Sequence, residues 1–390
     1  MNSRLRVVLG KGLRALVGLL LLLLGLCGFF ALPASYTTYP VVPPKEGEPR
    51  WVRGAFHVHT TRSDGRGSPL DVVLAAKAAG LDFVLLTDHN DFTPPAPTWG
   101  DGVLLIPGVE ISTSAGHLVA FGMERPLEGM TRWMPAADAV KAVEAAGGMT
   151  VLAHPVQKKN PWTDEPTARE AKGFELYSAD TFFRQAMSNP LSRLLPAVGA
   201  YLAKPMHGVM LLVAPEPEPG ERFMGLSREQ PKRSFCAHDA HGLPSYESVF
   251  SSLAMYLPPE QVPAPLPKDA KAAAALVTRA LRGGSALCSF RALGEPEGFA
   301  LEGVDPERRE ARVGDVLKVR LPGLPDVDTV RVQVWGEGRL GEDGTSVALT
   351  GEGLVRVEVW AKGPGRFFGS EWRPWIVPNP VRVLPRSPGI

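Results

Sequence analysis

The apolar positions of the chain follow two rhythms. Over residues 51–295, short apolar runs alternate with helix-period stretches. Runs at 52–58, 83–86, 103–106, 117–121, 150–152, 174–176, 235–237 and 286–290 predict strands. Apolar spacing at 69–80, 136–146, 191–202 and 270–282 predicts helices. This alternation implies an α/β domain around a mostly parallel sheet. From residue 296 to 390 the helical period disappears. Runs opening at Val316, Val330 and Val355 alternate apolar and polar residues between Gly-rich turns, so a small all-β, sandwich-like domain is predicted there.

A third pattern occupies the N-terminus. Arg4, Arg6, Lys11 and Arg14 precede an uncharged apolar run over 15–32. Eighteen residues rising 1.5 Å each span about 27 Å, close to the hydrocarbon thickness of a bilayer. Basic residues on its N-terminal side predict that this end stays in the cytoplasm. The expectation is therefore a membrane contact through residues 15–32, as a transmembrane helix or a signal segment over 1–35. The catalytic domain would then be extracytoplasmic, periplasmic or at the cell surface. A Pro-rich tether over 36–50 follows, then the α/β domain over 51–295 and the β domain over 296–390.

Composition narrows the function classes. The 390 residues carry 42 Lys+Arg against 41 Asp+Glu, a formal net charge of +1 that gives no nucleic-acid signal. Three cysteines cannot build a disulfide framework. Cys236 and Cys288 have small or apolar neighbours and read as buried thiols, with a bridge between them the alternative.

The histidines carry the chemistry. Most of the eight lie at a strand end, close to a carboxylate or to another histidine. His57 and His59 are two apart with Asp64 just beyond; His89 follows Asp88; Glu110 precedes His117; His154 ends a strand; Asp239 is two residues before His241. Alternate residues of a strand point the same way, so His57 with His59, and Asp239 with His241, can reach one ion together. Imidazole plus carboxylate without paired thiols is a donor set for Zn, Mn or Fe. His207 stands alone and fits a structural role, and His238 has the wrong parity to be a ligand. Asp88 and Asn90 are expected to orient imidazoles, with general-acid work an alternative for Asp88. Arg62 and Arg66 read as solvated loop arginines or phosphate contacts, and Glu175 as a pocket-lining or buried structural carboxylate. Residues 184–202 are expected to cover the pocket. Neither a Gly-rich phosphate loop nor a Gly-x-Ser-x-Gly elbow occurs.

Phe56-His-Val-His-Thr-Thr-Arg-Ser-Asp-Gly65, Leu86-Thr-Asp-His-Asn90, Gly108-Val-Glu110, His117-Leu, Ala153-His-Pro155 and Asp239-Ala-His241 resemble, in order, the motifs of the PHP (polymerase and histidinol phosphatase) superfamily. Pro374-Trp-Ile-Val-Pro-Asn-Pro-Val381 is similar to the segment closing the β domain of its membrane-anchored, exported branch, which is related to carbaryl-hydrolase-type metallohydrolases. Ala55 departs from the acidic residue that many members carry there. The resemblance implies a distorted (β/α)7 barrel holding two to three divalent metal ions (Mn, Fe or Zn). It implies His57, His59, Glu110 and Asp239 at a first metal, Glu110, His117 and His154 at a second, and Asp64, His89 and His241 at a third. Glu110, His154 and Asp239 are the ligands expected to take part in the chemistry itself. The expected activity is a metal-dependent phosphoesterase using a metal-bridging hydroxide on a small-molecule phosphoester. Amide or carbamate hydrolysis on the same centre, nucleotide phosphatase or exonuclease-like activity, and a catalytically silent envelope binding protein are the alternatives.

Overall fold

The computed structural model describes residues 3–36, 50–214, 216–322, 329–362 and 371–386. Its centre is strand β1 (Val52–Val58), flanked in parallel by β2 (Phe83–Leu86) and then β3 (Val103–Thr113). Between β1 and β2 lies helix α2 (Pro69–Ala78), which starts where its sequence says it should. Ser68 accepts from Asp71 N while the Asp71 carboxylate accepts from Ser68 N, a capping box with Pro69 in the first turn. Gly54 is required on β1, because a Cβ there would lie 2.2 Å from the Phe83 ring.

Beyond β3 the sheet leaves the parallel pattern. β4 (Gly116–Phe121) returns as a hairpin antiparallel to β3 and also pairs antiparallel with β5 (Met149–Leu152). Helix α3 (Ala136–Ala145) connects β4 to β5 and buries Ala136, Ala139, Val140 and Val143, the 3.6-period face legible in its sequence. β5, β6 (Gly173–Ser178) and β7 (Arg233–Ala237) are again parallel. Phe56, Phe121 and Phe235 pack on one another beneath the strand ends, with Phe56 and Phe235 stacked at 4.6 Å between ring centroids. All three rings are buried, each contributing about 1.5–3 kcal/mol of apolar stabilisation.

The expected (β/α)7 barrel is corrected to a mixed α/β sheet that no strand ladder closes. A strand has two edges, and those of β1 are taken by β2 and, antiparallel, by β8 (Ala254–Leu257). β7 therefore meets β1 only beyond its own end. There Val58 and Ala240 form an isolated bridge, with His59 N donating to Ala240 O at 3.0 Å and His238 N to Phe56 O at 2.9 Å.

Past β8 the same sheet continues through β9 (Leu287–Ser289), antiparallel to β8. C-terminal strands follow: Val330–Gly336 pairs with β10 (Gly353–Lys362), which pairs with β11 (Trp372–Pro378), which pairs with β9. Four shorter strands make a second sheet, so the C-terminal part is β throughout.

Two further expectations are corrected. Helix α1 (Ser3–Tyr36) forms, but among the described residues no helix is long and apolar enough to cross a membrane. Instead α1 lies against α5 (Leu195–Ala203), with Leu26 and Gly28 half-buried. The membrane anchor over 15–32, and the extracytoplasmic placement drawn from it, lose their basis. Of the tether, residues 37–49 lie outside the described residues. Cys236 and Cys288 are not separate thiols: they form a disulfide with Cα atoms 5.8 Å apart. The reason is topological, since the turn of the sheet brings β7 and β9 side by side from 52 residues apart in sequence.

Candidate metal centre

The strand ends deliver their polar residues to one place. β1 carries His57 and ends at Val58, with His59 next; His89 follows β2; Glu110 lies within β3 and His117 within β4; His154 follows β5; Asp239 and His241 follow β7. The backbone bends sharply to do this. His57 (φ 66°), His154 (φ 33°) and Asp239 (φ 46°) all adopt left-handed conformations. The β1–β2 register also shifts between Ala55 and Val58, around His57. Strain of this kind on non-glycine residues concentrates at functional sites.

Three overlapping groups of donor atoms result, each group within 4.8 Å: His57, His59, Glu110 and Asp239; His89, Glu110 and His117; and His59, Asp64, His89 and His241. Glu110 is the hub. Its Oε2 lies 3.1 Å from His57 Nε2, 3.1 Å from His59 Nε2 and 3.2 Å from His89 Nδ1. Its Oε1 lies 2.8 Å from His117 Nδ1 and 3.0 Å from His154 Nε2. Asp239 Oδ1 lies 3.4 and 3.3 Å from the two β1 imidazoles. Asp64, half-exposed at the mouth, stands 3.4–3.6 Å from His59, His89 and His241. All nine residues predicted as ligands are thus brought together. His154 joins through Glu110 rather than through one of the three tight groups.

The donor set fits divalent cations on the chain's own geometry. Glu110 Oε2 is buried with three imidazole nitrogens around it, yet makes no hydrogen bond, and His89 Nδ1 is likewise unpaired. His57 Nε2 and His59 Nε2 face each other at 3.0 Å. Imidazole and carboxylate donors that converge on a common point are the arrangement a shared cation satisfies. Electrostatics agrees. Burial alone would lower His57, but Glu175, Glu110 and Asp239 raise it well above the usual imidazole range. Burial opposes His59 too, and the Asp239 and Glu110 carboxylates beside it lift it to about 9. Glu110 is held well below the carboxylate range against its burial, by His57, His117 and His154.

Around the ligands, several expectations resolve. Glu175 is fully buried, takes His57 Nδ1 at 2.6 Å on Oε1 and the His154 backbone N at 2.6 Å on Oε2. It therefore positions two ligands from different strands, and its apolar neighbours on β6 were the only hint. Asp88 orients no imidazole; its carboxylate accepts from Thr60 N, Thr60 Oγ1 and Ser63 Oγ at 2.7–2.8 Å and so fastens the loop that carries Asp64. Gly65 closes that loop, since a Cβ there would meet His59 O at 2.5 Å. Asn90 braces Ser112. Arg62 is paired with Asp91 at 2.7 Å, and the Arg66 amide donates to His241 O. His238 lies outside the centre, buried between Phe56 and the Leu253 carbonyl, and burial pushes it down to about 4. His207 is buried in the helix Pro205–Leu212.

Sequence reading missed the helix after β6. On α4 (Ala179–Met187), Asp180 pairs with Arg184, and the Arg184 charge is felt together with those of Asp239 and Asp64. Beside it a pocket is lined by His154, Glu175, Tyr177, Thr181, Phe182 and Gln185. Of the segment expected to cover the site, only Gln185 lines that pocket.

No family model matches the chain, and no curated protein does. Solved structures give low-level likenesses. A two-domain protein from Bacteroides vulgatus with an assigned PHP-like metal-dependent phosphoesterase is 14% identical, over 87% of this chain and 98% of that one, with a TM-score of 0.36. An assigned metal-dependent phosphoesterase from Bifidobacterium adolescentis is 17% identical over 50% and 90%, with a TM-score of 0.33. An amidohydrolase from Chromobacterium violaceum is 15% identical over 48% and 87%, with a TM-score of 0.30. No activity follows from likenesses at this level. What the chain itself shows is that the residues of the quoted motifs meet at one centre.

Proposed function

We propose that the chain is a metal-dependent hydrolase whose substrate is a phosphoester. The observation that carries this reading is the sharing of Glu110 among the donor groups, with one carboxylate oxygen toward His57, His59 and His89 and the other toward His117 and His154. Divalent cations held there supply a water of lowered pKa and offset charge growing on the ester.

The chain's own residues do the rest. His57, His59, Glu110 and Asp239 would hold one ion, Glu110 with His117 and His154 a second, and Asp64 with His89 and His241 a third at the open mouth. Glu175 keeps the His57 Nε2 lone pair aimed inward by occupying Nδ1. Arg184, paired with Asp180, stands at the rim. Charge favours phosphorus over a neutral carbonyl. The ligand set includes three carboxylates, Asp64, Glu110 and Asp239, and the buried Glu175 lies against it, so three divalent ions with six positive charges would leave a net positive centre. Such a centre holds an anionic ester more strongly than a neutral amide.

The test is release of the aryl alcohol by the full chain with Mn²⁺ from a generic aryl phosphomonoester and an aryl phosphodiester, beside His154→Ala. We expect turnover that falls by about 10²-fold or more in the variant, the scale of losing a group that stabilises the transition state. Turnover of an aryl carbamate and of neither phosphoester, with metal bound, would contradict the reading.

A further inference from the structure

The far end of the same strands carries a second charged feature. A cavity of about 420 Å³ lies where β5, β6 and β7 begin, lined by Gly147 and Gly148 before β5, Lys172 before β6, Arg233 opening β7, Arg282 on α6 (Ala270–Gly283) and Glu144 on α3. None of the nine candidate metal ligands lines it. Met149 and His154 mark the two ends of one strand, so at about 3.3 Å per residue the cavity stands some 15 Å from the metal centre.

Its charges are unbalanced. Lys172 reaches Glu144 at 3.6 Å, both side chains about half exposed. Arg282 donates to the Gly147 carbonyl at 2.9 Å and Arg233 to the Arg282 carbonyl at 3.3 Å, and among the described residues neither guanidinium pairs with a carboxylate. Glu124 lies against Gly147 and is the other acid nearby. Behind the wall stand two more cations. Lys232 is 1% exposed and rests on the carbonyls of Arg169 and Ala171 alone. Arg309 donates to the Asn379 carbonyl, with its Nε buried and unpartnered. Burial pushes Lys232 down to about 8, with Lys172 and Arg169 adding to it, and Arg309 down to about 10, with Arg233 adding to it. Nothing acidic offsets either. Three cations thus line the space beside Glu144, with Lys232 and Arg309 behind them and Glu124 near Gly147, and low-dielectric walls focus that field into the cavity.

We propose that this cavity binds a phosphate-class oxyanion, held by the Arg233 and Arg282 guanidinium groups and the Lys172 ammonium, at a site separate from the metal centre. Two guanidinium forks suit the paired oxygens of phosphate, and the volume admits a free phosphate, a pyrophosphate or the phosphate of a mononucleotide. The proposal does not depend on the hydrolase reading.

The experiment is calorimetric titration of the full chain, stripped of metal with a chelator so that the metal centre cannot capture the anion, at low ionic strength. Inorganic phosphate, pyrophosphate and AMP are the probes, and the tightest of them identifies the source of the phosphate group. We expect saturable binding of one equivalent, weakened at least tenfold by Arg233→Gln and by Lys172→Gln and unchanged by His154→Ala. Lys172 is half-exposed, so its variant carries the test if Arg233→Gln fails to fold. Equal affinity in wild type and Lys172→Gln, loss of binding in His154→Ala, or no saturable binding to wild type would each overturn the proposal.

Discussion

At the scale of single residues, Glu175 connects the centre to the rest of the molecule. It is a carboxylate with no place in the ligand set, yet its two oxygens fix His57 through the ring and His154 through the backbone. Replacing it by Gln keeps the shape and removes the charge that holds the His57 ring in its tautomer. Partners of this kind are worth about 10–100-fold in metal affinity. Glu175→Gln should therefore weaken binding of Mn²⁺ by about that factor in a competition titration, with the fold unchanged by circular dichroism. Unaltered affinity would show that His57 is held by other means. The ligand types themselves were legible, because imidazole and carboxylate recur just beyond apolar runs. What local sequence does not encode is the left-handed backbone at His57, His154 and Asp239. His and Asp tolerate that region better than most residues, but only the finished site demands it.

Among the elements, strand positions followed their apolar runs closely. The predicted 83–86 strand is β2 as observed, and the predicted 136–146 helix differs from α3 by one residue. Pairing was less legible than position. Nothing in the runs at 103–106 and 117–121 announces that β3 extends to Thr113 and turns back as a hairpin, because alternation looks alike in parallel and antiparallel neighbours. The same gap explains the cysteines. Each sits in its own apolar strand, the two strands share no ladder, and only the folded chain brings their Cα atoms to 5.8 Å. The disulfide ties β7, which leads into Asp239, to β9, which adjoins the C-terminal strands. A link closing about 50 residues restrains the unfolded chain by about 4 kcal/mol in the chain-entropy account. A Cys236→Ala/Cys288→Ala double variant should unfold at lower denaturant by an amount on that order. Identical transitions for the variant and the oxidised protein would mean that the bridge adds no stability.

For the whole molecule, one sheet joins what the sequence reads as two regions. The contact is polar as well as ladder-like: Tyr177, on the strand that carries Glu175, donates to the buried Glu358 on β10 at 3.0 Å, and Trp360 Nε1 donates to the same carboxylate at 2.8 Å. The N-terminal apolar run shows the opposite lesson. Its composition suits a bilayer, whereas the helix it forms lies against α5, with Leu16 and Leu19 to Leu24 still exposed. The candidate centre is the one feature in which motif, burial, backbone strain and electrostatics all coincide, and its multinuclear character rests on Glu110 serving more than one ion. The most direct measurement is the metal content of the purified full chain by mass spectrometry after dialysis against Mn²⁺, beside Glu110→Gln. Two or more equivalents are predicted in the wild type and at least one fewer in the variant. Fewer than two equivalents in the wild type, or the same content in both proteins, would contradict this.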